Sequence, residues 1–334
     1  MTELIHTDCT NYDPETLIHG VKILREGGTV VFPTETVYGI GADATSDSAC
    51  FKIFEAKGRP ADNPLIAHFG SIGDINRYCF WDMVEKRKEL EMLWPGPLTV
   101  VVKKRDLISS VASAGLDTIG VRVPDCDFTR SLIQNAGFPV AGPSANISGR
   151  PSATSILHIK EEMWGRVDLM YDAGRTRIGI ESTVILPEGE NCTVLRPGAY
   201  TEEDLLRIFK TVSYAKVGGK TMSPGMKYRH YSPSKKLYRA DPEILIKVAE
   251  NNPKVLPIVS TELGERITGN KLVLGKRSDP VSISRNLYSF FRELDGSPYE
   301  AGIIESFEEK GYFFSIMNRI KKASIPITEM ADFK

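Results

Sequence analysis

Residues 211–235 (TVSYAKVGGKTMSPGMKYRHYSPSK) hold no apolar period and crowd Gly, Pro, Ser and Lys together, and this break constrains the fold more than any other feature of the chain. On either side of it, strand-length apolar runs alternate with helical segments. A chain of 334 residues also exceeds the length over which one hydrophobic core keeps growing. The expectation is two α/β domains, 1–210 and 236–334, joined by a linker whose aromatic and basic content is unusual for a spacer.

Before the break, DPETLIHGVKILREGG reads as a helix with Asp13 as N-cap, Pro14 at the first helical position and Gly27-Gly28 as the stop. TVVF, LIAHF, LTVVV, TIGVRV and PVAG read as strands, with helices over 46–56, within 72–93 and in DFTRSLIQNAG. DLMYDAG, STVILP and CTVLRPG then follow as β-like runs without obligatory helices between them. That pattern predicts a twisted, at least partly antiparallel sheet flanked by helices. PTETVYGIGADA (33–44) is rich in Gly, Pro and Thr and reads as a loop displaying Thr34, Thr36 and Tyr38 at a sheet edge. After the break, strict strand–helix alternation predicts a smaller, parallel, Rossmann-like sheet.

The formal charge of −1 argues against a protein whose main work is coating nucleic acid, which needs a surplus of Lys and Arg. No run approaches the roughly 20 apolar residues that cross a bilayer. MTELIHTDCT lacks the basic and apolar regions of a signal peptide, so the expected address is cytoplasmic. Cys9, Cys50, Cys79, Cys126 and Cys192 form neither CxxC nor a zinc spacing and read as reduced, structural thiols. GGKT (218–221) resembles the tail of a P-loop, but Tyr214 stands where the earlier glycine is required. No GxGxxG, HExxH or GxSxG is present.

Two segments can carry chemistry. KGRPADNPL (57–65) closes a helix and then runs extended, because proline disfavours helix at the residue before it. Lys57 and Arg59 there suit an anion, although cations at a helix C-terminus also answer the helix dipole; taken alone, the segment favours the dipole explanation. GPSANISGRPSAT (142–154) follows a strand and precedes a helix, where open α/β sheets commonly place ligands. Its Ser144, Asn146, Ser148 and Ser152 offer short polar groups, and a helix starting near Thr154 would add free N–H groups. A plain polar turn explains the segment equally well.

Taken in order, PTETVYG, KGRPADNPL, WPGPLT, GVRVP, GPSANISG, ESTV and LRPG resemble the threonylcarbamoyl-AMP synthase family, over about 28–198. The linker SPGMKYRHYSP followed by a second α/β domain resembles the family's two-domain form, whose catalytic part is the YrdC-like domain. The resemblance implies that L-threonine, bicarbonate and ATP, with Mg2+, give threonylcarbamoyl-adenylate and pyrophosphate. A separate tRNA threonylcarbamoyl transferase machinery would consume the product.

By that resemblance Lys57 and Arg59 are the catalytic candidates. Arg59, Asn63, Thr118, Ser144, Asn146, Ser152 and Arg196 are assigned to ATP, and Thr36, His68, Arg122 and Ser182 to threonine. Lys227, Tyr228, Arg229, His230 and Tyr231 are expected in a lid over the pocket. No protein ligand to the metal is assigned. A weak tRNA contact is allowed, and a pure RNA-binding module is the rival of another class. The related carbamoyl transferases carry paired CxxC motifs, which this chain lacks. The resemblance offers no catalytic residue for the second domain, which is expected to support the lid or a partner surface.

Overall fold

The structure is a computed structural model that describes residues 1–215, 231–329 and 332. The first part of the chain runs β1 (Glu3–His6), α1 (Glu15–Arg25), β2 (Val30–Phe32), β3 (Gly39–Asp43), α2 (Asp47–Lys57), β4 (Ile66–His68), α3 (Ile75–Tyr78), α4 (Arg87–Glu91) and β5 (Leu98–Lys103). It continues through β6 (Thr118–Arg122), α5 (Asp127–Ala136), β7 (Val140–Ala141), α6 (Ile156–Met163), β8 (Leu169–Asp172), β9 (Thr183–Glu188), β10 (Asn191–Arg196), α7 (Glu202–Leu205) and β11 (Thr211–Tyr214). These strands form one sheet in the order β1-β8-β2-β3-β7-β4-β6-β5-β9-β10-β11. Pairing is mixed: β4 and β6 run parallel, while β2/β3, β3/β7 and β5/β6 run antiparallel. Helices α1 and α5 bury Leu17, Leu24, Phe128 and Leu132 with Phe32 and Tyr171, whereas Ile53 of α2 and Ile159 of α6 join the larger core around Val100 and Val121.

The second part comprises β12 (Lys236–Ala240), α8 (Pro242–Asn251), β13 (Val255–Val259), α9 (Thr261–Gly264), β14 (Leu272–Val273), α10 (Pro280–Gly296), β15 (Ala301–Glu305), α11 (Tyr312–Ala323) and β16 (Ile325–Pro326). Its sheet, ordered β14-β13-β15-β12-β16, is parallel throughout. Val37 and Ile180 of the first part sit in the same apolar cluster as Leu287, Tyr288 and Phe291 of α10. The two sheets therefore share a packed junction. No helix among the described residues is long and apolar enough to cross a membrane.

The structure departs from the sequence reading at several points. The segment read as a loop holds an interior strand, β3. A Cβ at Gly41 would come within 2.4 Å of Val140 and 2.6 Å of the Phe32 ring, so close packing, rather than a turn, demands the small residue there. The stretch read as linker begins with β11, paired in parallel with β10. Cys9 and Cys126 are joined in a disulfide, while Cys50, Cys79 and Cys192 are free and buried. The 117-residue separation hid this pairing; the fold brings the segment after β1 against the start of α5, where the Phe128 N–H donates to the Cys9 carbonyl at 3.1 Å.

Candidate active site

A cavity opens between the end of α2, the 142–154 loop and the ends of β4, β6 and β10, with an open volume of about 700 Å³ counting its mouth. Among the described residues its lining carries Lys57, Arg59, Arg122, Arg150 and Arg196 against a single carboxylate, Glu181. Such an excess of cations in a concave, largely buried space favours an anionic occupant.

Local sequence explains how α2 delivers the first two cations. The Ser46 hydroxyl caps the helix by accepting from the Ala49 N–H at 3.2 Å, and Gly58 ends it with φ +58°. That left-handed residue turns the chain so that Lys57 and Arg59 both reach the cavity. The Lys57 ammonium donates to the carbonyls of Ser144 and Asn146, tying α2 to the opposite loop. Burial first, then the neighbouring Arg59 charge, pulls Lys57 well below the usual lysine range. Arg59 donates to the carbonyls of Asn63 (3.2 Å) and Pro64 (3.1 Å), and burial lowers it to about 10.

On the loop, Ser144 donates to the Asn146 amide oxygen at 2.5 Å, and the Asn146 amide donates to the carbonyls of Ile147 and Arg150 at 2.8 and 3.0 Å. Ser152 donates to Glu181 at 2.5 Å. Arg196, at the end of β10, donates to the Ser182 carbonyl (3.1 Å) and hydroxyl (3.0 Å), and the Ser182 hydroxyl also bonds Thr99 at 2.8 Å. Burial lowers the Arg196 pKa.

The far end is built around Arg122. Its guanidinium donates to the Thr36 hydroxyl at 2.9 Å and faces Glu35 at 2.7 Å as an ion pair without a well-aligned hydrogen bond. The Asp125 N–H donates to the other Glu35 oxygen at 3.2 Å. The parallel register of β4 and β6 sets His68 directly beside Arg122. Burial, reinforced by the Arg122 charge, pushes the His68 imidazole down to about 3, so it is neutral near pH 7.

Of the residues predicted from sequence, the cavity gathers Lys57, Arg59, His68, Arg122, Ser144, Asn146, Ser152, Ser182, Arg196 and Tyr231. Thr36 stands behind Arg122 as its hydrogen-bond partner. Asn63 and Thr118 do not line the cavity: with Ile66 opposite Gly120, both lie at the N-terminal end of the β4/β6 pair, away from His68 and Arg122. The four residue steps from Thr118 to Arg122 correspond to roughly 13 Å of strand. The start of α6 does not line the cavity either. Lys227, Tyr228, Arg229 and His230 lie outside the described residues. Tyr231 is buried at the cavity with φ +70° and stacks on Tyr288 at 5.5 Å.

Sequence reasoning passed over Glu35 and Glu181, although both lie inside motifs it quoted, PTETVYG and ESTV. It had no signal for Tyr288 and Arg319, whose chemistry appears only through their contacts with Glu181 at 3.0–3.2 Å.

Comparison with known proteins supplies the family. Residues 22–198 match the Sua5/YciO/YrdC family, described as "Telomere recombination", and residues 200–324 match "Threonylcarbamoyl-AMP synthase, C-terminal domain". The threonylcarbamoyl-AMP synthase of Pyrococcus abyssi is 40% identical over 90% of this chain and 92% of its own, and that of Bacillus subtilis 37% identical over 93% of each. The crystal structure of P. abyssi Sua5 complexed with L-threonine superposes with a TM-score of 0.85 at 36% identity, covering 98% of this chain and 99% of that one. The chain belongs to the threonylcarbamoyl-AMP synthase family, with both family domains in one polypeptide.

Proposed function

We propose that the protein condenses L-threonine, bicarbonate and ATP to threonylcarbamoyl-AMP and pyrophosphate, acting as a cytoplasmic nucleotidyltransferase that feeds threonylcarbamoyl transfer to tRNA. The observation that carries the reading is one cavity that joins two kinds of anion partner. Arg122, already fixed by Glu35 and Thr36 beside a neutral His68, suits an amino-acid carboxylate, and Lys57, Arg59 and Arg196 add a cationic wall suited to phosphates.

Arg122 holds the threonine carboxylate, while Thr36, through its hydroxyl partner Thr34 at 2.8 Å, and Ser182 give polar neighbours for the substrate hydroxyl. Bicarbonate takes up one proton and gives CO2 and water. The threonine amine nitrogen attacks the CO2 carbon and releases one proton, which balances that uptake and leaves a carbamate. A carbamate oxygen then attacks the α-phosphorus of ATP, and the bond to the β-phosphate oxygen breaks with pyrophosphate taking the electron pair. The substrate is the nucleophile, so the protein's part is positioning and charge neutralisation. Lys57, Arg59 and Arg196 face the phosphates, and Ser144, Asn146 and Ser152 supply polar contacts beside them.

Among the described residues no group of three or more His, Cys, Asp or Glu side chains forms a metal cluster. The two carboxylates at the site, Glu35 and Glu181, are both engaged by arginine. We place magnesium on the ATP phosphates as part of that substrate.

The test is incubation with ATP, magnesium, bicarbonate and each amino acid in turn, measuring pyrophosphate and identifying the adenylate by mass. Pyrophosphate release that requires both threonine and bicarbonate is expected. Release that ignores either one would overturn the reading.

A further inference from the structure

We infer that the C-terminal domain positions the nucleotide wall of the cavity through Glu181, with Arg319 and Tyr288 as the positioning residues. The inference rests on the proposed assignment of that wall to ATP.

Glu181 lines the cavity, yet every neighbour it bonds across the junction belongs to the second domain. The Tyr288 hydroxyl of α10 meets its two oxygens at 3.1 and 3.0 Å, and Arg319 of α11 reaches one oxygen through Nε (3.2 Å) and a terminal nitrogen (3.0 Å). On the cavity side, Glu181 accepts from Ser152 and is followed by Ser182, which receives Arg196. Arg319 also donates to the Pro197 carbonyl, next to Arg196. One fully buried guanidinium thus bonds both Glu181 and the Pro197 carbonyl, and through the latter the segment that carries Arg196. The same loop is held from its other side: Arg292 of α10 donates to Glu162 at 2.6 Å and to the Pro151 carbonyl, and Glu162 accepts from the Ile147 N–H at 2.8 Å.

Stability alone does not account for this arrangement. A buried ion pair often gains nothing over apolar residues of similar volume, because desolvation offsets the attraction; its best-attested use is to fix one geometry among several. Burial alone would raise the Glu181 carboxyl, but Arg319 and Arg196 hold it near 2, so the clamp is charged at any working pH. A planar fork gripping a carboxylate constrains direction as well as distance. That is what a wall needs if it must place a phosphorus within reach of a carbamate oxygen.

The experiment compares Arg319→Lys and Tyr288→Phe with the wild type in the pyrophosphate assay, alongside calorimetric titration of ATP. Arg319→Lys keeps the charge but loses the fork, and should raise KM and Kd for ATP about tenfold while KM for threonine stays within twofold. Tyr288→Phe removes one hydroxyl and should raise them about threefold with the same split. If Arg319→Lys does not fold, Tyr288→Phe decides. Wild-type ATP constants in the folded variants, or equal shifts for ATP and threonine, would overturn the inference. A wild type that binds ATP but never releases pyrophosphate with threonine would instead overturn the reaction; the ATP titrations would still judge the clamp.

Discussion

Each sheet buries a carboxylate against an arginine, and the two pairs behave differently. Glu305, at the C-terminal end of β15, accepts from the Ser260 N–H (2.6 Å), the Ser260 hydroxyl (3.1 Å) and Arg277, all within its own domain. Glu181 divides its acceptance between Ser152 on one domain and Tyr288 and Arg319 on the other, and it lines the cavity. The end of a parallel strand is a favoured ligand position in open α/β sheets, yet Glu305 spends its acceptor capacity on its own fold. The lesson is that fold position suggests a site and the surroundings of the charge decide it.

The sharpest way to press this contrast is to remove a charge that faces the cavity. Lys57→Ala should lower threonine-dependent pyrophosphate release about a thousandfold, in line with the loss of a key electrostatic contact. It should also cost stability, about 2–4 kcal/mol, because two buried carbonyls on the 142–154 loop lose their donor. Steady-state kinetics and denaturant melts check both, and turnover near the wild-type rate would dissolve the contrast.

Arg122→Ala comes next. It should raise KM for threonine about a hundredfold with a much smaller effect on KM for ATP, and it should destabilise by about 3–5 kcal/mol because Glu35 is left buried and unpaired. Equal effects on both substrates would place Arg122 in the common framework rather than at one end of the cavity.

Glu305→Gln tests the closed pair. Turnover should remain within twofold of wild type while stability falls by about 1–3 kcal/mol, the cost of weakened buried hydrogen bonds. A large loss of activity here would show that the second domain's buried charge serves the site after all.

The last prediction concerns acid and leaves activity at pH 7 aside. The folded-state pKa of His68 is lowered from 6.5 to about 3, so between those values the unfolded chain binds a proton that the folded chain refuses. Stability is therefore lost as pH falls below about 6.5. His158, lowered to about 4 by burial and then Arg292, acts in the same direction. Melting wild type and His68→Gln from pH 7 to 4 should show a shallower decline in the variant, by up to about 1.4 kcal/mol per pH unit. Parallel curves would mean that His68 is protonated in the fold.

Legibility varied with how local the cause was. TVVF and LTVVV were readable because their burial is written as continuous apolar side chains, and both are almost wholly buried in the sheet. β3 was unreadable because its small residues answer to Phe32 and Val140, which sit elsewhere in the chain. β11 escaped because it is a polar, largely exposed edge strand with one neighbour. The expected helices within 72–93 shrank to α3, α4 and two short 3-10 turns, a stretch in which only Ile75, Tyr78, Trp81 and Leu90 of those elements are buried.

The sequence by itself determined the two α/β halves, the order of the motifs and the residue types that meet at the site, because periodicity and short-range capping act over neighbours. Only the tertiary structure decided that Lys57 is a brace as well as a cation, that Glu35 fixes Arg122, that Cys9 meets Cys126 and that the second domain reaches the cavity through Arg319. Each of these depends on a partner distant in sequence. A buried charge takes its role from the groups that replace its lost water, and those are set by how the chain packs.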